Sequence, residues 1–241
     1  MSAALALAAP PLASFQGAVE FIFTPQSSSV TGGKTVGGLE QVVELTLTQL
    51  EVTFLALALA LAVALPIGLY LGHRGTGELL AVGLGNAGRA IPELALIAFM
   101  AAAIGVGLLN VTIALAILGI PPILTNAFVG VRQVDRASVD AARGMGMSEL
   151  EVLRKVELPL AVPTLMTGVR GATINIVATA TIAPLAGVLT LGDFIINRNV
   201  YGDDGVLAGA ILVALLALAL ELSLAGLQRA LTSKGLKVSI A

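Results

Sequence analysis

A chain of 241 residues that is 57% hydrophobic and 12% charged, with a mean hydropathy of +0.97, falls outside the composition of water-soluble domains, and its surface is built for lipid. The absence of cysteine rules out a disulfide framework and a thiolate metal centre, and a single histidine, His73, does not make a protein-held zinc site, so no metal is expected. A net charge of −2 gives no sign of a nucleic-acid partner; where the charges fall along the chain carries the information.

Residues 1–48 open as a mixed leader: apolar Met1 to Ala9, then Pro10-Pro11, Phe21-Ile22-Phe23 and the turn-rich stretch Thr24 to Gly38. No basic residue precedes the apolar part, and the two prolines interrupt it well short of a crossing, so it does not read as a signal peptide. Residues 1–39 are expected to be an interfacial or extracytoplasmic segment. A first span is expected over Gln49 to Gly72, with Pro66 kinking it rather than stopping it, and His73-Arg74-Gly75 ending it. A second span is expected over 80–104 and a third over 108–131, the latter carrying Pro121-Pro122. A charged, helix-prone insert occupies 132–157, a fourth apolar block 160–190, a polar loop Asp193 to Gly205, and a fifth span 206–228, with 232–241 a short tail.

Orientation follows from the basic residues, which mark the cytoplasmic side of short loops. If the first span runs from outside to inside, Arg74, Arg132, Arg136, Arg143, Arg154, Lys155, Arg229, Lys234 and Lys237 all fall inside, and only Lys34 and Arg198 fall in outside segments. The insert is therefore expected in the cytoplasm. An N-terminal crossing starting inside would keep the same arrangement, so five and six spans both remain open.

Within the insert, Asp135 suits the cap of a first short helix, and Gly144 or Gly146 the left-handed residue that ends it. Ser148 and Glu151 form the S-x-x-E capping box of a second helix, which Pro159 is expected to help terminate. Ala141 and Ala142 keep the first helix narrow, so that its backbone can seat in a groove of another protein. This stretch resembles the cytoplasmic loop of ABC importer permeases, whose pattern is E-A-A, three residues, G, nine residues, I, one residue, L-P. Here Asp140-Ala141-Ala142, Gly146, Val156 and Leu158-Pro159 stand at those spacings.

The resemblance covers about Glu40 to Leu231. It is closest to the branch that imports glycine betaine, choline, proline and related osmoprotectants, through Ala90 to Leu96, Ile120 to Asn126, Ala141 to Met147 and Ala178 to Ala183. Glu93, where Ser or Thr is common, and the run Gly187 to Gly192 depart from it. The resemblance implies an all-α integral membrane protein of the bacterial or archaeal cell membrane, with a five-helix-core transmembrane domain over 40–231 and a coupling loop over 135–159. It implies that Asp140, Ala141, Ala142, Gly144, Gly146, Leu158 and Pro159 couple the chain to a cytoplasmic ATPase. ATP and magnesium would be bound by that partner, with no cofactor in this chain and no catalysis of its own. The other implied partners are an extracytoplasmic substrate-binding protein and a second permease subunit, identical or homologous.

Gly33-Lys34-Thr35 lacks the earlier glycine of a phosphate-binding loop, and Gly83-x-Gly85-x-x-Gly88 lacks a strand–helix–strand setting, so close helix packing is the better account of the latter. Gly68-x-x-x-Gly72 and Gly205-x-x-x-Gly209 read as small faces where helices approach. Arg89, Glu93, Arg170 and Glu221 lie within apolar blocks, where charge is expensive, and so are candidates for internal pairs or a water-lined pathway. Arg89 and Glu93 are expected to meet on one helix face. Asn126 and Asn175 suit either the pathway or interhelical hydrogen bonds. With no Trp, and Tyr70 and Tyr201 expected on opposite sides, no aromatic box for a quaternary ammonium is legible, so selection is expected to fall to the binding protein. The rival readings are an ion-driven transporter using Glu93 or Glu221, and a membrane scaffold.

Overall fold

The computed structural model describes residues 13–28, 30, 33 and 35–232. A nine-residue helix, α1 (Phe15–Phe23), is capped by Ser14, whose side chain accepts from the Gly17 amide. Two antiparallel pieces of strand follow, β1 (Gln26–Ser27) and β2 (Thr35–Val36). At about 13 Å, α1 is too short to cross a bilayer, and it packs on the start of the long helix α2 (Gly38–Arg74) and on α10 (Arg198–Leu231). The expected surface role of this segment therefore rests on α1 and the strand pair, whereas Met1 to Ala9 and Pro10-Pro11 lie outside the described residues.

Helix α2 begins eleven residues before the expected span and runs through Pro66 to a left-handed Gly75. Its buried face repeats small residues every four positions, Ala56, Ala60, Ala64, Gly68 and Gly72, which lets α5 (Leu108–Arg132) approach closely. A Cβ on Gly68 would lie 2.7 Å from the Ala127 Cβ, and one on Gly72 would lie 2.9 Å from the Phe128 carbonyl. The core forms where α2, α5 and α8 (Leu158–Thr179) meet, around Val52, Leu115, Ile123 and Ile176. Outward-facing Phe54, Leu59, Ile67, Leu215, Leu218 and Leu222 remain exposed, as lipid requires.

The expected second span is two helices, α3 (Glu78–Arg89) and α4 (Glu93–Ile104). Pro92 explains the break: its ring pushes Ile91 out of helical geometry, and it becomes the N-cap of α4. Arg89 and Glu93 thus lie on different helices, and the shared face expected for them does not exist. Of the three glycines in that segment, Gly85 and Gly88 do the close packing: a Cβ on either would lie 2.2 Å from the Thr125 Oγ1 or the Pro121 Cγ of α5.

Two further expectations are corrected. Pro159 does not end the second insert helix, because α7 (Glu149–Val152) continues through one π-helical turn, Leu153–Glu157, into α8. The wider turn, closed by the Leu158 amide donating to the Leu153 carbonyl, removes the clash that Pro159 would make with the carbonyl four residues back. The polar loop from Asp193 to Gly205 is mostly helical: α8 tightens into a 3-10 stretch, Ala180–Ala186, and is followed by α9 (Gly192–Ile196) and then α10, kinked at Gly202. Gly192 is required there, since a Cβ would lie 1.7 Å from the Thr181 carbonyl oxygen. Asp193 is buried, accepting from Tyr201 Oη at 2.5 Å and from Asn197 Nδ2 at 2.6 Å.

Four of the described helical runs are long and apolar enough to cross a membrane: Gly38–Arg74, Leu108–Arg132, Glu149–Ala186 and Arg198–Leu231. The broken α3–α4 pair stands beside them. Arg74, Arg132, Arg143 and Arg154 gather at the end of the bundle that holds the insert, whereas Arg198, paired with Asp203, lies at the opposite end with α1 and α9.

Candidate functional site

The insert is a pair of short helices folded over a small apolar core of their own. Asp135 caps α6 (Arg136–Gly144) by accepting from the Ser138 amide and hydroxyl at 3.2 and 3.1 Å, and these Ser138 bonds hold its carboxyl below the usual range. The helix ends in a Schellman turn: the Gly146 amide donates to Arg143 and the Met147 amide to Ala142, with Gly146 at φ +86°. Gly144 is still helical, so Gly146 supplies the left-handed residue. Ser148 and Glu151 make the expected capping box, and Lys155 donates to Glu151 at 2.8 Å.

Val139, Ala142 and Val152 are buried together beneath this unit, with Val134, Met147, Val156 and Leu160 around them. Asp140, Ala141, Gly144 and Gly146 face outward, joined by two large apolar side chains, Met145 at 72% and Leu150 at 55% exposure. Ala142 therefore serves the insert's own core, and Ala141 is the small outward residue. Leu158 is half-buried against the main core and Pro159 is exposed. Such an apolar outer surface, set at a charged end of the bundle, fits a protein partner.

A charged network ties the insert to α2. His73, at the end of α2, places Nδ1 2.5 Å from Glu157 Oε2 and Nε2 3.0 Å from Glu149 Oε2. Glu149 is held from its other side by Arg143, which donates through Nε at 3.2 Å and Nη2 at 2.9 Å. That pairing with Glu149 raises the Arg143 pKa above its usual value.

Inside the membrane region, Glu93 and Asn175 come together. They line a cavity of about 270 Å³ with Gly88, Ile91, Leu118, Pro121 and Pro122. Because proline has no amide hydrogen, Pro121 and Pro122 leave the carbonyls of Ile117 and Leu118 without their i+4 donors. Asn126 is not part of this cavity; its side chain donates to the Pro122 carbonyl at 2.8 Å, within its own helix. Glu221 of α10 pairs with Arg170 of α8, whose Nη1 also donates to Gln228 Oε1 at 2.6 Å, a clamp between the two helices. The side chain of Arg89 lies outside the described residues.

Three aromatic rings do gather: Phe21, Phe194 and Tyr201 meet edge to face with centroids 4.9 to 6.2 Å apart. Phe21 and Phe194 are fully buried against each other, so this is packed core rather than a box for a cation.

Residues 64–234 match the binding-protein-dependent transport system inner membrane component family. The chain belongs to that family. It is 38% identical over 193 residues to the carnitine transport permease protein OpuCB of Listeria monocytogenes, covering 80% of this chain and 88% of that one. It is 34% identical over 205 residues to the choline transport system permease protein OpuBB of Bacillus subtilis, covering 85% and 94%. Its fold is that of ABC importer permeases. The inward-facing MetNI methionine ABC transporter aligns with a TM-score of 0.69 at 22% identity, over 81% of this chain and 98% of that one. Glu93, Asn175, Met145 and Leu150 thus belong to a membrane component of a transport system, which removes the scaffold reading.

Sequence reasoning missed three structural groups. Gln49 is fully buried, donating to the Val177 carbonyl at 2.9 Å and accepting from the Leu191 amide at 3.1 Å, and so joins α2 to the last turn of α8 and to the residue before α9. Set among Glu44, Thr46, Thr48, Glu51 and Thr53, it carried no local signal of burial. His73 and Glu157 are 84 residues apart, and nothing in either segment announces the other.

Proposed function

We propose that this chain is the permease subunit of an ATP-driven importer of a small osmoprotectant such as glycine betaine, choline or proline. The supporting relatives are named for carnitine and choline, both of which carry a trimethylammonium group. The transmembrane domain spans 40–231 and acts through its coupling loop, 135–159, which docks on a cytoplasmic ATPase that holds ATP and magnesium. The basic residues at the insert's end of the bundle support a cytoplasmic position for that end. The observation that carries the reading is the insert's outer surface: Asp140, Ala141, Gly144 and Gly146 beside exposed Met145 and Leu150, on a unit whose underside is closed by Val139, Ala142 and Val152. A surface of small and apolar residues on capped helices suits a groove in a partner.

A second permease subunit, identical or homologous, completes the pathway against the exposed stripe of α8, Thr167, Gly171, Ile174, Asn175 and Ala178. The Glu93–Asn175 cavity then opens onto that pathway. Its acceptors, the Glu93 carboxylate and the Asn175 amide oxygen, suit a cationic head group. A separate binding protein delivers the solute. Transport proceeds by alternating access: closure of the ATPase pair moves the insert, and the bundle opens outward.

The test is reconstitution of the chain with a candidate ATPase and binding protein, with solute-stimulated ATP hydrolysis and uptake measured together. A crosslinker placed at Ala141 should capture the ATPase. Uptake driven by an ion gradient without ATP, or a crosslinker that never captures the ATPase, would overturn the reading.

A further inference from the structure

We propose that His73 is the positioning residue that locks the end of α2 to the coupling insert, and that the lock holds one exchangeable proton, so that it opens as cytoplasmic pH rises. This rests on the coupling role proposed above. The triad joins the last turn of α2, the first residue of α7 and the last residue of the π-helical turn, through His73, Glu149 and Glu157. Those segments must move together if a push on the insert is to reach α2, which packs along α5 and α8.

The proton count follows from valence. An ionised carboxylate only accepts, and a neutral imidazole has one N–H. His73 faces a carboxylate oxygen from each ring nitrogen, at 2.5 and 3.0 Å, so filling both contacts takes one proton more than a neutral ring between two carboxylates carries. Whichever atom holds it, its loss removes one of the two bonds. Burial decides which. Glu157 is 2% exposed and cannot turn to water, so the remaining ring proton stays with it; Glu149 is 63% exposed and does without.

On α2, Arg74 lies over the Tyr70 ring at 5.5 Å. On α6, Arg143 grips Glu149, with Asp140 3.8 Å behind it. The Arg132 guanidinium of α5 reaches the turn at Gly75. A cavity of about 450 Å³ beside His73, lined by Tyr70, Arg74, Arg143, Glu149 and Leu150, gives the proton its route to solvent. When it leaves, Glu149 stays with Arg143 and the insert keeps its own shape, but the Nε2 tie between α2 and α7 is gone.

The experiment uses the whole importer, permease with ATPase and binding protein, in liposomes, and reads solute moved per ATP hydrolysed as the pH on the ATPase side is raised from about 6 to about 9. Losing one charge-assisted bond should lower that ratio about tenfold along a one-proton transition. His73→Gln carries no proton to lose, so its ratio should be low and flat while ATP hydrolysis continues. Glu149→Gln should abolish the transition, because an amide can donate to Nε2 of a neutral ring whose Nδ1 proton goes to Glu157. If His73→Gln fails to assemble, the Glu149→Gln profile still decides. A wild-type ratio that does not change with pH, or the same transition persisting in Glu149→Gln, would overturn the proposal. Failure of the wild-type chain to bind any ATPase would instead overturn the coupling role on which it rests.

Discussion

Gly144 and Gly146 offer a sharp test of how the insert is built, because two equal substitutions two residues apart should act in opposite directions. A Cβ at either position would meet nothing within 4 Å, so packing contributes nothing to the difference. Gly144 lies in the last turn of α6, where alanine restricts the unfolded chain and favours helix by about 0.5–1 kcal/mol. Gly146 sits at φ +86°, where an L side chain crowds its own backbone, and alanine there costs about 1–2 kcal/mol. Gly146→Ala should therefore raise the opened population of the turn about 5–30-fold, while Gly144→Ala lowers it. Hydrogen exchange at the Gly146 and Met147 amides, which donate to Arg143 and Ala142 at 2.9 and 3.2 Å, reads that opening directly. Gly146→Val, with a branched Cβ at the same φ, should abolish uptake while insertion into the membrane stays intact. Equal exchange in the two alanine variants, or undiminished uptake in Gly146→Val, would refute the argument that the left-handed turn sets the insert's shape.

Two further outcomes follow from charges in the bundle. Arg170→Met alone leaves Glu221 without its partner and should destabilise the protein by about 3 kcal/mol in detergent unfolding, whereas the double change Arg170→Met with Glu221→Met should cost less than that single one. Glu93→Gln removes the only carboxylate among the described residues lining the Glu93–Asn175 cavity, and transport assays should show the KM for cationic choline rising more than that for zwitterionic proline.

Much of the insert could be read in advance because its signals are local. Asp135 three residues before Ser138, Ser148 three before Glu151, and a glycine after a short helical run each satisfy a backbone group within one turn of chain. What could not be read there was which of two glycines takes positive φ, or that Ala142 turns inward while Ala141 faces out, since both depend on where Val139 and Val152 find cover. In the membrane, Gly68 and Gly72 announced a close contact, and α5 supplies it. Arg89 and Glu93 misled because their four-residue spacing presumes one unbroken helix, and Pro92 ends that helix between them. Pro159 misled for the opposite reason, since a single π-helical turn lets the chain pass a proline that local rules would use as a stop.

By itself the sequence determined that this chain lives in lipid and that the insert folds as two capped helices, because hydropathy and capping act within a few residues of where they are written. The tertiary structure alone decided that His73 sits between Glu149 and Glu157, that Gln49 spans Val177 and Leu191, and that Glu93 and Asn175 share a cavity. Those meetings join residues many helical turns apart, and they exist only once the small-residue faces of α2, α5 and α8 have fixed how the helices stand against one another.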